Sequence, residues 1–145
     1  MMETNEKTLI SVKTTIDAPI DLVWKCWTNP EDIVNWNNAS NDWHTPRAKN
    51  DLRVGGNFSY RMEAIDGSMG FDFWGIYNVI KENKLIGFTL GDGRKVEIAF
   101  NISKNKTEVT EIFEAENTHP LENQRNGWQS ILDNFKRYTE CTYYQ

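Results

Sequence analysis

Several features that would reveal a function directly are scarce or absent in this sequence. Its 145 residues include only two cysteines, Cys26 and Cys141, which lie far apart and belong to no metal-ligand or redox spacing. The two histidines, His44 and His119, form no cluster with cysteine or carboxylate residues at metal-ligand spacing. A glycine-rich phosphate loop is also lacking, since the Gly-Asp-Gly segment at 91–93 is typical of a hairpin turn. We therefore expect no metal and no other cofactor.

Excess positive charge and long apolar runs are missing as well. Sixteen Lys and Arg residues against 21 Asp and Glu residues give a net charge of -5, without any basic run. Because nucleic-acid binders need a positive face for phosphate contacts, we expect no nucleic-acid partner. No stretch approaches the ~20 apolar residues of a membrane span. The polar segment from Met1 to Lys7 lacks the apolar core of a signal peptide, so we expect a cytoplasmic protein with reduced thiols.

Aromatic side chains, in contrast, are abundant. Six Trp, five Tyr and seven Phe make up 12% of the chain, whereas all hydrophobic residues together make up 39%. Rings are bulky and rigid, so a core built from them leaves irregular gaps where other cores pack densely. The length leaves room for one domain over residues 1–145. The composition therefore predicts gaps between the rings of this domain, which either remain as cavities or hold a ligand.

Hydrophobic periodicity in the first third of the chain predicts a strand followed by two short helices. Residues 8–17 alternate between apolar and polar, which is typical of a half-buried strand. Pro19 opens a helix with an apolar stripe at helical spacing, formed by Ile20, Val23, Trp24 and Trp27. A second short helix is predicted over Glu31–Trp36. Residues 37–50 are predicted to form a polar loop.

The remainder predicts a meander and a long helix. Turn signals separate five expected antiparallel strands, near 52–65, 71–81, 85–91, 94–103 and 107–115. An amphipathic helix follows over about 119–140, with the apolar stripe Leu121, Trp128, Ile131, Leu132, Phe135 and Tyr138. This helix is the one element large enough to cover the inner face of the sheet. The prediction is therefore an α+β fold in which a curved antiparallel sheet wraps around the C-terminal helix.

Four motifs, in this order, carry a resemblance to a known family. They are A-P-x-x-x-V-W-x-x-W-T-x-P at 18–30, the second-strand motif at 55–62, F-x-G-x-Y at 73–77 and G-W-x-x-x-L-x-x-F at 127–135. Together they resemble the START-like, birch-pollen-allergen-like (SRPBCC) superfamily, and within it the bacterial branch named after the heat-shock-protein-90 ATPase activator. The resemblance implies the helix-grip fold. It implies less about function, because the superfamily includes lipid carriers, hormone receptors, ring cyclases and co-chaperone domains.

A ligand site is predicted between the sheet and the C-terminal helix. We expect its apolar lining to be Phe58, Tyr60, Phe73, Tyr77, Phe88, Ile98, Phe113, Trp128 and Leu132. Gly75 and Gly127 either allow close approach of helix and sheet or leave space for the ligand. Trp43 and His44, in the predicted loop at 37–50, are candidates for the rim of the cavity.

Two charged residues share the parity of inner-face positions. Arg94 has the parity of Val96, and Glu111 has that of Val109 and Phe113. A buried carboxylate without a partner is costly, so Glu111 needs a cation, a water or a ligand. It is either half of a structural ion pair or a polar anchor in an apolar pocket. Arg94 is either exposed at the strand end or a second polar anchor.

Three classes of function remain after these exclusions. Binding of a small apolar or aromatic molecule is the hypothesis we favour, with no catalytic residue assigned. The family resemblance implies a protein-interaction module instead, which an exposed Trp74 beside a filled interior would favour. A cyclase- or hydrolase-like enzyme requires Glu111 within reach of a second titratable group such as His44 in a wet cavity.

Overall fold

The computed structural model describes residues 7–145, so most of the polar segment from Met1 to Lys7 lies outside the described residues. The elements follow in the order β1 (Leu9–Ile16), α1 (Ile20–Thr28), α2 (Pro30–Trp36), β2 (Trp43–Asn50), β3 (Asn57–Ala64), β4 (Gly70–Lys81), β5 (Leu85–Leu90), β6 (Lys95–Ser103), β7 (Lys106–Glu114) and α3 (Leu121–Tyr143). None of the helices within 7–145 combines the length and the apolar character needed to cross a bilayer.

All the strands join one antiparallel sheet, in the order β1-β7-β6-β5-β4-β3-β2. β2 to β7 form a meander, and β1 returns to pair with β7. The sheet curls around α3, which runs along the β1 edge: the Gln129 side-chain amide donates a hydrogen bond to the Lys13 carbonyl over 3.2 Å, and the Lys136 ammonium donates to the Thr15 carbonyl. The predicted helix-grip α+β fold is confirmed.

The prediction of a polar loop over 37–50 is wrong for its second part, because Trp43–Asn50 forms β2. This edge strand pairs only with β3, and its register shifts between His44 and Arg47. Pro46, which cannot donate a ladder hydrogen bond, lies within that irregularity, where the edge position tolerates it. The meander therefore has six strands rather than five, and β3 begins at Asn57 instead of near residue 52.

The two short helices close one end of the curled sheet. The Asn29 side chain caps α2 by accepting a hydrogen bond from the Glu31 backbone N–H over 3.3 Å, and Pro30 follows in the first turn. The Trp36 indole N–H donates to the Cys26 carbonyl over 2.9 Å, which ties α2 to α1. The rings of this end come from both short helices, from β6 and from α3, so that four elements fill the space together.

The long helix departs from its predicted stripe at its start. Leu121 is 48% exposed, whereas Leu132 and Phe135 are fully buried. The buried position of the first turns belongs to Gln124, whose amide donates to the carbonyls of Glu116 and His119. Leu121 lies in the first turn of α3 and faces solvent, whereas Gln124, three residues later, faces the interior. The assignment of Leu121 to the apolar stripe was wrong for this reason.

Candidate functional site

A cavity of about 470 Å³ lies between the inner face of the sheet and the N-terminal half of α3. This volume falls in the range of small-molecule sites. Its apolar walls are Trp27, Trp36, Phe58, Tyr60, Met62, Phe71, Phe73, Tyr77, Ile86, Phe88, Ile98, Trp128 and Ile131. Four exposed lining residues, Ala39, Phe71, His119 and Asn123, mark where the cavity meets solvent.

The sheet side of the cavity is a mutually packed group of rings. Strand alternation directs Phe58 and Tyr60 of β3 inward, and β4 and β5 add Phe73, Tyr77 and Phe88. The Phe58 ring lies at the centre, with centroid distances of 5.0 Å to Tyr60, 5.8 Å to Phe73, 5.4 Å to Tyr77 and 4.8 Å to Phe88. Because these rings support one another on the sheet, the space beneath the helix stays open.

Most of the predicted site residues meet at this cavity. Those at its wall are Phe58, Tyr60, Phe73, Tyr77, Phe88, Arg94, Ile98, Glu111 and Trp128. Phe113 lies one layer behind, stacked on the Trp128 indole with 3.9 Å between centroids and 11° between planes. Leu132 is fully buried and, like Phe113, is not part of the lining.

The two glycines have different surroundings. A Cβ atom on Gly75 would lie 2.8 Å from the Thr89 carbonyl oxygen and 3.0 Å from the Phe58 ring. Gly75 thus admits the Phe58 ring, and the alternative that it leaves space for a ligand is wrong. A Cβ atom on Gly127 would meet nothing within 4 Å, and Gly127 lines the cavity. The open space therefore lies beside the helix glycine.

Neither predicted rim residue lines the cavity. The imidazole of His44 on β2 lies 3.8 Å from a carboxylate oxygen of Glu63 and is exposed. The Trp43 ring contacts the lining residue Phe71, with 6.0 Å between centroids. The mouth of the cavity is instead bordered by the chain segment that follows α2 and by the start of α3. Trp43 and His44, the candidates for the rim, belong to the edge strand β2 rather than to a loop over the cavity, and neither is part of the lining.

Glu111 points inward from β7, as its parity predicts. It lies between Val12 of β1 and Ile98 of β6, and it is 4% exposed. Among residues 7–145, no side chain forms an ion pair or a hydrogen bond with its carboxyl group. Burial alone raises the pKa of Glu111 to about 8. The structural ion pair considered for this residue is absent from the described part of the chain, and the carboxyl faces the cavity.

Arg94 reaches the cavity wall but is held by its own hairpin. Its Nε donates to the Asp92 carboxylate over 2.8 Å, and its Nη1 donates to the Glu114 carbonyl over 3.4 Å. Both alternatives for Arg94, exposure at the strand end and a place in the cavity, therefore apply in part. The side chain lines the cavity and is also partly exposed. Because Asp92 already neutralises it, Arg94 adds little net charge to the cavity.

Two tyrosines add polar groups to the sheet side of the cavity. The Tyr77 hydroxyl donates to Asn50 Oδ1 over 2.5 Å, and Asn50 Nδ2 donates to the Thr28 carbonyl over 2.7 Å. Burial raises the pKa of both Tyr60 and Tyr77 above the usual value, so both phenols are neutral at physiological pH. The cavity thus offers hydroxyl oxygens at one place and a carboxyl group at another.

A polar group at the mouth was missed by the sequence reasoning. The Glu116 carboxylate accepts hydrogen bonds from the His119 backbone N–H over 2.7 Å and lies 3.0 Å from its Nδ1. Gln124 Oε1 accepts from the Glu116 backbone N–H over 2.9 Å. All three residues line the cavity. The signal was available, because Gln124 lies four residues before Trp128 and therefore on the same helix face.

The pair of titratable groups named for the enzyme hypothesis does not form. The enzyme hypothesis required Glu111 within reach of a titratable group such as His44, and His44 pairs with Glu63 outside the lining. Within residues 7–145, no three His, Cys, Asp or Glu side chains are arranged to hold a metal ion. What remains is an apolar, ring-walled space with one buried carboxyl group.

A curled antiparallel sheet, a long C-terminal helix and a cavity between them define a helix-grip domain of the START-like (SRPBCC) class. The family model described as "Activator of Hsp90 ATPase homolog 1-like protein" matches residues 17–140. The chain belongs to this family.

Solved structures agree with this assignment. The AHSA1-like protein from Aeromonas hydrophila is 43% identical over 95% of this chain and 96% of its own, with a TM-score of 0.89. Chr148 from Cytophaga hutchinsonii is 48% identical over 94% of each chain, with a TM-score of 0.80. A protein from Nitrosomonas europaea shares the fold at 19% identity, with a TM-score of 0.77 over 94% of this chain and 97% of its own. Comparison with curated proteins found no match.

Proposed function

We propose that this protein binds a small apolar or aromatic molecule in the cavity between the sheet and α3. The observation that carries the proposal is a space of about 470 Å³ inside a core whose other end is filled. Protein interiors normally pack with few voids larger than a water molecule, so a void of this size implies either an occupant or a loss of stability. We further propose that residues 1–145 act as one domain in the cytoplasm.

The lining supports an apolar body for the ligand. Rings cover the sheet side, and Trp128 and Ile131 of α3 face them across the space. Removing apolar surface from water is worth roughly 25 cal/mol per Å², and polar groups in such sites fix orientation. Glu111, Tyr60 and Tyr77 are the polar groups that would do so.

The test fills the cavity from the helix. Gly127→Leu places a side chain in the open space beside the glycine, on the face shared with Gln124 and Ile131. Asn126→Leu adds the same side chain at the exposed neighbouring position and serves as the matched control. Both variants and the unmodified protein are titrated with a dye that fluoresces in apolar surroundings.

We expect the unmodified protein and Asn126→Leu to bind the dye, and Gly127→Leu to lose at least about tenfold in affinity. Equal affinity in all three proteins would place the dye elsewhere and overturn the proposal. Native mass spectrometry of protein purified from its own host then gives the mass of the natural ligand.

A protein-interaction role is the second candidate, because the outer face of β4 carries exposed apolar side chains. Trp74 and Ile76 are 43% and 44% exposed on that face. Exposed apolar clusters often mark partner surfaces. Trp74→Ser would abolish capture of such a partner while leaving dye affinity unchanged. Loss of dye binding in this variant would count against a separate surface role.

A further inference from the structure

We propose that the ligand carries a protonated amine, and that its ammonium group pairs with the carboxylate of Glu111 while its apolar body lies against the rings. This inference rests on the proposed function of the cavity and names the chemical class of its ligand. The geometry that points to it is a carboxyl group that is aimed into the cavity, is 4% exposed and has no partner among the described residues.

The surroundings of Glu111 offer it no compensation. Its neighbours across the sheet, Val12 on β1 and Ile98 on β6, are buried and apolar. The next inner-face residue of β7, Phe113, is covered by the Trp128 indole of α3. A buried carboxylate is strongly disfavoured until a cation or several donors approach it. A ligand that brings the cation therefore gains the pairing and relieves this cost.

The other ionisable groups that line the cavity are already engaged. Tyr60 of β3 and Tyr77 of β4 are neutral phenols, and Tyr77 donates to Asn50. The three remaining groups, Arg94 before β6 and Glu116 and His119 before α3, have partners: Arg94 pairs with Asp92, and Glu116 pairs with His119.

No cation from the neighbouring elements reaches Glu111. On β1 the nearest cation in sequence, Lys13, is exposed, and on α3 Lys136 pairs with Glu140 over 3.0 Å. The only cause of the raised pKa of Glu111 is burial, without a contribution from any charged group.

The ring-walled space suits a cation in a second way. Aromatic faces carry partial negative charge and attract an ammonium group, an interaction that strengthens when water is excluded. Aromatic rings line the cavity on its sheet side, at Phe58 and Phe88, and on its helix side, at Trp128. A ligand carboxylate would instead be repelled by the ionised form of Glu111. A neutral ligand would leave the carboxyl group without a charged partner.

Pairing with an ammonium group requires the carboxyl group of Glu111 to lose its proton. Because the pKa of Glu111 is about 8 in the empty cavity, its carboxyl group is mostly protonated at neutral pH. An ammonium group favours the carboxylate, so the proton of Glu111 passes to solvent when the ligand binds. The fraction of protein ready to bind then rises about tenfold per pH unit up to about pH 8 and levels off above it.

A pair of matched probes tests this chemistry. Naphthylethylamine and naphthylethanol share the same apolar body, and the amine, like a Lys side chain, stays protonated well above pH 8. Their affinities are measured by calorimetry at about pH 6, 7 and 8, in buffers of different ionisation enthalpy that report proton release. The unmodified protein is compared with Glu111→Gln. Glu97→Gln is the control, because it makes the same substitution on the exposed outer face of β6.

We expect the amine to bind at least about tenfold more tightly than the alcohol near pH 8, to gain affinity from pH 6 to pH 8, and to release about one proton near pH 7. Glu111→Gln should remove the preference, the pH dependence and the proton release, whereas Glu97→Gln should keep all three. Equal affinities of the two probes, or an amine affinity that does not change with pH in the unmodified protein, would overturn the ammonium proposal while cavity binding stands. If neither probe binds, the proposed function fails and this inference fails with it.

Discussion

The two ends of the interior are equally aromatic, yet one is filled and the other is open. At the filled end, the rings of Trp27, Trp36 and Phe135 approach one another with centroid distances of 4.8 to 5.0 Å, and Trp27 and Trp36 also border the cavity from this side. At the open end, the rings on β3 to β5 pack among themselves and border a space of about 470 Å³ beneath α3, where the Phe73 ring lies 6.1 Å from the Trp128 indole. The two ends differ in the helices that cover the sheet, because α1 and α2 join α3 at the filled end. Abundant rings therefore permit a cavity, and the number of covering helices decides where it lies.

Truncation of a ring should cost most at the filled end. Phe135→Ala removes a fully buried ring that both Trp27 and Trp36 contact, and we expect a loss of about 3–5 kcal/mol in the free energy of unfolding. Urea denaturation measures it. Trp128→Ala at the open end should cost less, since one part of the indole already borders empty space. A larger loss for Trp128→Ala would reverse the comparison.

The buried carboxyl group should make the open end sensitive to pH. The pKa of Glu111 is raised from 4.5 to about 8 in the folded protein, so the folded state holds a proton that the unfolded state loses between these values. Stability should therefore fall as pH rises from about 4.5 to about 8 and stay level above, with a total on the order of 5 kcal/mol.

Unfolding free energies of Glu111→Gln and Glu97→Gln across this range measure the effect. The first variant should lose the decline and be the more stable protein at pH 8, because its side chain stays neutral. Glu97→Gln should retain the decline. Parallel curves for Glu111→Gln and the unmodified protein would place the carboxyl of Glu111 in solvent.

The two glycines should respond in opposite ways to a larger side chain. Gly75→Leu forces atoms against the Thr89 carbonyl and the Phe58 ring, so we expect a loss of about 1–3 kcal/mol. Thermal unfolding measures it. If Gly75→Leu left the thermal stability unchanged, Phe58 would have shifted into the cavity without cost. Dye binding would then weaken as well.

The smallest expected effect is a gain. Gly127→Ala adds a methyl group where nothing lies within 4 Å, and Ala favours a helix over Gly by up to about 1 kcal/mol. We expect a slight rise in the unfolding midpoint with dye affinity nearly unchanged. A destabilised Gly127→Ala would show that the helix approaches the sheet more closely than the open space indicates.

Much of the site could be predicted because strand parity is a local property. Alternation alone directs Phe58, Tyr60 and Glu111 inward, and β3 and β7 have these residues on their inner faces. β2 could not be recognised in this way. Its side chains are mostly polar, Pro46 interrupts the pattern, and an edge strand buries too little of its surface to require alternation.

The sequence by itself determined the order of the elements other than β2, the inward faces of the strands and the family, because periodicity and motifs depend on residues close together in the chain. The tertiary structure decided what each inward residue meets. Gly75 receives the Phe58 ring whereas Gly127 borders open space, and Glu111 finds no cation among the described residues. Such outcomes depend on contacts between β3, β7 and α3, which are distant in the chain. Packing between distant segments, rather than local pattern, therefore made one end of an aromatic core into a cavity.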